Sequence, residues 1–382
     1  MRKQKGSPSP YVIRLILSGL FALVSLTPGF AHETAKSKTE HRNKLQSITR
    51  GFAIGKDTRI LPYAILGPVA GDQRVGLKLK HRLFWSATDR VSHHFRFENL
   101  HDYYWRLRYD ANSLSTATTR ISFTFKRKLD LDSHFYGLGS AIDKSNRAPM
   151  TYASVVVYGE ISRLLSEGLR LGWSPGFWQF RSGILDTERN HGTDNVTTAR
   201  YVTSRFSLRD GSREQENETG RATRWATYLE FGLPLNSSVA AYARVNFRTL
   251  TSVPVFNKTR FSVGTRVEYL ASPARRLVPY FALPEIGSRS GLRGFSKARF
   301  RNYAVLALDL EYAVPLSSAI EGFLLTDLAQ TAKSPAGLLR KPMHQSYGLG
   351  LRVRNASRPA SFGVAVGREG WKVFAVVGVG LG

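Results

Sequence analysis

The sequence contains no cysteine, which excludes a disulfide framework and any thiolate metal site. It is poor in acids: 28 Asp and Glu stand against 55 Lys and Arg, a formal net charge of +27. It also lacks any apolar run as long as the roughly 20 residues a membrane-spanning helix needs. The one long run, "LILSGLFALVSL" (Leu15 to Leu26), follows "MRKQK" and Arg14 and is followed by "GFA" (Gly29 to Ala31). A basic start, a short apolar core and a small-residue exit form the pattern of a secretory signal peptide, with cleavage expected after Ala31. For an exported chain, nucleic acid is not the expected partner of so much positive charge. Outer-membrane lipids, lipopolysaccharide or an anion path fit the compartment better.

What the sequence has in quantity is alternation. In "VGLKLKHRLFW" (Val75 to Trp85), Val75, Leu77, Leu79, Leu83 and Trp85 share one parity while Lys78, Lys80 and Arg82 take the other. "RISFTFK", "VAAYARVNFR" and "RFSVGTRVEY" behave the same way. Period two sustained over seven to eleven residues is the strand signal. Fifteen such segments are counted, beginning near 74–85 and ending near 371–382. Bacterial single-chain barrels have an even number of strands, so one is missing from the count or one has been split, and about sixteen are expected.

The charged parity separates a membrane barrel from a secreted sandwich. Sandwiches point apolar residues inward, whereas a barrel in lipid is apolar outside and polar within. Here Trp85, Trp105 and Trp371 lie near the ends of apolar faces. The opposite faces carry Lys78, Lys80, Arg82, Arg106, Arg108, Arg244, Arg248 and Arg266, with Arg120, Lys126, Arg260, Arg352 and Arg354 in the same sense. The expected fold is all-β, an antiparallel transmembrane β-barrel of about 16 strands in the bacterial outer membrane with a basic lumen. Its expected organisation is a signal peptide over 1–31, a short periplasmic N-terminal segment over 32–70 and the barrel over 71–382.

Enzyme motifs fail on their chemistry, and neither catalytic residues nor a cofactor are expected. "GFAIGKDT" (Gly51 to Thr58) has one spacer too few for a phosphate loop and Asp57 where Ser or Thr belongs. "GWSPG" (Gly172 to Gly176) spells a nucleophile elbow, but Pro175 cannot donate the oxyanion-hole N–H. His93 and His94 point to opposite strand faces, which argues against a metal site. His344 and Ser346 share one face and are the only pair suggesting an outer-membrane lipid A hydrolase.

One stretch stands apart. "GLRGFSKARFRN" (Gly291 to Asn302) carries four cations and no anion between two strand segments, followed by "LDLEYAVPL" and "LLTDLAQ". Parity places Asp309 and Glu311 inward, and a guanidinium carried inward would need such carboxylates. Together with "FYGLGS" (Phe135 to Ser140) and "FSLRDGS" (Phe206 to Ser212), this combination resembles the bacterial surface antigen family of outer-membrane barrels. That family includes the insertase of the β-barrel assembly machinery and the two-partner-secretion pores. The resemblance covers about 71–382. It implies that Arg293, Gly294 and Phe295 form the tip of a long extracellular loop folded into the lumen, with Arg293 held by Glu311 and Asp327. The chain departs from the family pattern at Gly287-Ser288, where the family has Gly-Gly. Residues 32–70 are too short for periplasmic repeat domains, so a barrel-only form is expected.

Three functions follow as expectations: assembly or translocation of client outer-membrane polypeptides, an anion-favouring pore or ligand-holding barrel, and least of all the lipid A hydrolase. Lys297, Arg299 and Arg301 are expected to remain solvated.

Overall fold

The computed structural model describes residues 52–53, 58–66, 74–84, 89–98, 102–139, 141–166, 168–184, 198–210, 222–256, 259–288, 291–340, 342–353 and 361–376. The signal-peptide stretch and most of 32–70 lie outside them. Among the described residues, no helix is long and apolar enough to cross a membrane.

Sixteen strands follow one another around a closed antiparallel ring. They are β1 (Thr58–Leu66), β2 (Arg74–Phe84), β3 (Arg90–Glu98), β4 (Asp102–Asp110), β5 (Thr119–Phe135), β6 (Ala148–Leu164), β7 (Leu169–Ile184) and β8 (Thr198–Asp210). The ring continues with β9 (Ala222–Pro234), β10 (Tyr242–Pro254), β11 (Arg260–Ala271), β12 (Ala304–Pro315), β13 (Ile320–Ala332), β14 (His344–Val353), β15 (Ser361–Gly367) and β16 (Gly370–Val376). A two-residue piece, Phe52–Ala53, adds to β1. The strand missing from the sequence reading is β1, which falls inside the stretch expected to be a periplasmic segment. Its sequence "TRILPYAIL" is apolar at both parities and contains Pro62, so it shows no alternation to read.

Burial follows the inverted logic of a lipid-facing wall. Val202, Phe206, Leu229, Phe231, Val245, Phe247, Leu349 and Leu351 are exposed, while Thr203, Glu230, Asn246 and Ser346 on the other parity are buried. Apolar surface of this extent around a closed ring suits hydrocarbon, and closure leaves no sheet edge unpaired in lipid. Inside, acids and cations answer one another. Glu230 takes Arg205, with Arg244 at 3.8 Å. Glu268 takes Arg266 at 2.6 Å and Arg244 at 3.6 Å. Burying such charges singly would be prohibitive; pairing makes the lumen tolerable.

The ring is uneven in one place. Neighbouring strands pair over seven or more residues everywhere except between β16 and β1, where three pairs are made among the described residues: Val373 with Leu66, Phe374 with Ile65, and Ala375 with Ala64.

Candidate functional site

The connection from β11 to β12 is the long one, and it turns into the barrel. Two short 3-10 turns, Arg275–Leu277 and Tyr280–Ala282, open it, and a two-residue ladder of Glu285–Ile286 with Phe300–Arg301 closes its base. Val278, Tyr280, Ala282 and Leu283 pack with wall residues Phe135, Met150, Phe180, Tyr201 and Tyr242. Deeper in the loop, Ile286, Leu292, Phe295 and Phe300 are fully buried against Val305, Ala307 and Ala329 of the wall.

The tip of the loop meets β13. Arg293 donates from Nη2 to Oδ1 of Asp327 at 2.7 Å and from Nε at 3.1 Å, and its backbone N–H reaches Oδ2 at 2.7 Å. Its Nη1 lies 3.7 Å from Glu311, whose carboxylate is held more tightly by Arg352 at 2.8 Å. Asp327 is fully buried on β13 and also accepts from Ser346 Oγ at 3.0 Å. Four donor atoms on one carboxylate make a strong, oriented anchor.

Gly294 lets this happen. A Cβ there would stand 2.7 Å from the Gly367 nitrogen and 2.8 Å from the Val366 carbonyl carbon, both backbone atoms of β15. Phe295 fills the space that Gly367 leaves, and a Cβ on Gly367 would meet its ring at 2.7 Å. Phe300 stacks flat on His344, with centroids 4.0 Å apart and planes 6° from parallel. The two residues that suggested a hydrolase, His344 and Ser346, are thus both engaged by the loop. "GWSPG" lies within β7, not on a strand-to-helix turn.

Lys297, Arg299 and Arg301 are each paired with a carboxylate rather than simply solvated, and only Lys297 keeps substantial exposure. Lys297 donates to Asp130 of β5 at 2.8 Å. Arg299, 1% exposed, pairs with Glu369 at 2.8 Å, donates to the Ile142 carbonyl at 2.6 Å and lies over the Tyr136 ring. Arg301 pairs with Glu285 and donates to the carbonyl of Tyr280. Sequence reasoning had no signal for these contacts, because the partners Asp130 and Glu369 stand 167 and 70 residues away. Tyr136, in the "FYGLGS" stretch, is the ring under Arg299.

The expected basic lumen divides. Arg108 pairs with Asp110 at 2.7 Å, and Arg244 and Arg266 share Glu268. Arg106 and Arg248 make no hydrogen bond or ion pair among the described residues. Lys78, Lys80 and Arg82 lie on β2, whose backbone is described and whose side chains are not; Arg354 lies outside the described residues. Among the described residues no cluster of three His, Asp or Glu could hold a metal.

A closed antiparallel ring, apolar outside and charged inside, with a long loop anchored in its lumen, defines an outer-membrane β-barrel with an inward-folded loop. No protein-family model and no curated protein matches the sequence. Solved structures do. The BamA of Haemophilus ducreyi lacking POTRA domains 1–3 is similar, with a TM-score of 0.62 at 12% identity over 91% of this chain and 79% of that one. CdiB from Acinetobacter baumannii gives 0.58 at 12% identity, over 85% of this chain. CdiB from Escherichia coli gives 0.56 at 10%, again over 85%. The chain spans 60% and 63% of the two CdiB chains. At these identities the likeness establishes the fold.

Proposed function

We propose that this barrel assists the insertion or translocation of other outer-membrane polypeptides without enzymatic chemistry, by opening between β1 and β16 while the latched loop holds the strands behind the seam. The carrying observation is the seam between β16 and β1, which among the described residues holds three pairs where the other neighbouring strands hold seven or more. A ladder hydrogen bond is worth roughly 0.5–1.5 kcal/mol net, so among the described pairings this junction is the cheapest place for the ring to part. The loop supports the same reading. Its tip is tied to β13, β14 and β15, Arg299 is tied to the β15–β16 turn at Glu369, and Lys372 of β16 donates to Ser296. These contacts brace one side of the seam and none of them touches β1. A client strand could then pair with the freed edge, since an exposed ladder is a template for a further strand.

The test is reconstitution. Vesicles holding the folded barrel should accelerate membrane insertion of an unfolded client barrel over empty vesicles. An unchanged rate would refute the proposal.

A further inference from the structure

Beneath the loop lies a cavity of about 610 Å³, within the size range of small-molecule sites. Eight cationic side chains line it and two carboxylates, Glu268 and Glu285. The acids nearby are already shared. Glu268 serves Arg244 and Arg266, Glu285 serves Arg301, and Asp130 behind the wall serves both Lys128 and Lys297. Arg248 is left over. It makes no hydrogen bond or ion pair among the described residues, and it stands directly opposite Arg266 across the β10–β11 ladder. Like charges directly opposite are destabilising, and the carboxylate that offsets part of this, Glu268, is already bonded by Arg266 at 2.6 Å and shared with Arg244 at 3.6 Å. Beside the cations the same cavity exposes a run of ring faces, Tyr152, Trp178, Phe180, Tyr228 and Phe281. Arg205, paired with Glu230, lies 4.6 Å from the Tyr228 ring centroid and 5.8 Å from that of Trp178.

We infer that this cavity binds a small phosphorylated organic anion, its phosphate between Arg248 and Arg266 and its apolar or ring portion against Trp178 and Tyr228. Arg248 offers the forked donors that match phosphate oxygens, Arg266 adds positive charge beside it although its own nitrogens bond Glu268 and the Glu285 carbonyl, and the aromatic wall supplies apolar contact that an inorganic ion alone would not use. The proposed phosphate and ring contacts lie on β7, β9, β10 and β11, away from the β16–β1 junction, and binding there requires no client polypeptide.

Two readouts test it on the full folded chain in zwitterionic micelles at physiological ionic strength. Calorimetric titration with inorganic pyrophosphate should give saturable binding at one site per barrel, and 4-nitrophenyl phosphate should bind more tightly than inorganic phosphate. Arg248→Gln should weaken pyrophosphate binding at least tenfold. Arg127→Gln, an exposed position in register with Trp105 and Val155 on the outer wall, should leave it within twofold. Absence of saturable binding at millimolar pyrophosphate, or equal loss in the two variants, would overturn the inference. The second readout is stability without ligand. Arg248→Gln relieves a like-charge opposition, so its unfolding midpoint should equal or exceed that of the parent. A lowered midpoint would show that Arg248 is structural and would overturn the assignment.

Discussion

Replacing Arg293 by Ala removes two or three charge-assisted hydrogen bonds from a carboxylate with no access to solvent. Breaking a buried pair by deleting one partner costs about 3–5 kcal/mol. Two features reduce that here. Asp327 keeps the backbone N–H of residue 293 and the Ser346 hydroxyl, and the Arg293 side chain is 23% exposed, so part of its charge is already solvated. The expected loss is about 2–3 kcal/mol, a hydrogen-bond contribution to a charged group rather than a whole buried ion. Lys297→Ala makes a useful comparison. That ammonium is 38% exposed, and Asp130 keeps Lys128 at 2.9 Å when it goes, so the loss should stay under about 1 kcal/mol. Urea titration of the barrel in detergent, followed by heat-modified gel mobility and tryptophan fluorescence, resolves the two. With a slope of about 2 kcal/mol per M, Arg293→Ala should lower the midpoint by about 1 M and Lys297→Ala by less than half of that. Equal midpoints would refute the idea that the Arg293–Asp327 contact anchors the loop.

Other variants follow from the same geometry. Arg299→Ala removes a fully buried guanidinium and strands Glu369, so it should cost at least as much as Arg293→Ala; a smaller midpoint shift in the same titration would contradict this. Gly294→Ala puts a methyl within 2.8 Å of two backbone atoms of β15 that cannot move cheaply. Its tip should undock while the ring stays closed, seen as rapid tryptic cleavage after Arg293 with strand content unchanged by circular dichroism. Ser288 holds a left-handed φ of 50° where the family pattern has glycine, a strain of roughly 1–2 kcal/mol for a residue with a Cβ. Ser288→Gly should therefore slow tryptic cleavage of the loop or leave it unchanged, and faster cleavage would show that the serine side chain matters more than the strain.

Most of the wall was legible because lipid and water enforce period two on each strand. The outward Val245 and Phe247 and the inward Arg244 and Asn246 could be read directly. β1 was illegible because "TRILPYAIL" carries apolar residues at both parities, and Pro62 argues against a strand until the ring around it is known. The far ends of β5 and β6 are hard to read for a related reason: the ladder shifts register between Asp130 and Ser133, where a bulge breaks the alternation. In the loop, the Arg-Gly-Phe tip and its acids were visible through a family pattern and through strand parity. The tethers of Lys297 and Arg299 were not, since an ion pair spanning 167 or 70 residues leaves no local trace. A run of cations with no anion looked solvated; in the fold its anions come from β5 and from the β15–β16 turn.

The seam is the center of the account, and the absence of native cysteine makes it simple to lock. Leu66 and Val373 stand directly opposite in the β1–β16 ladder, within the Cα separation a disulfide can bridge. The Leu66→Cys/Val373→Cys variant, oxidised and reconstituted in vesicles, should fold normally and lose its acceleration of client insertion, and reductant should restore it. A locked barrel that inserts client as fast as the reduced one would contradict the account.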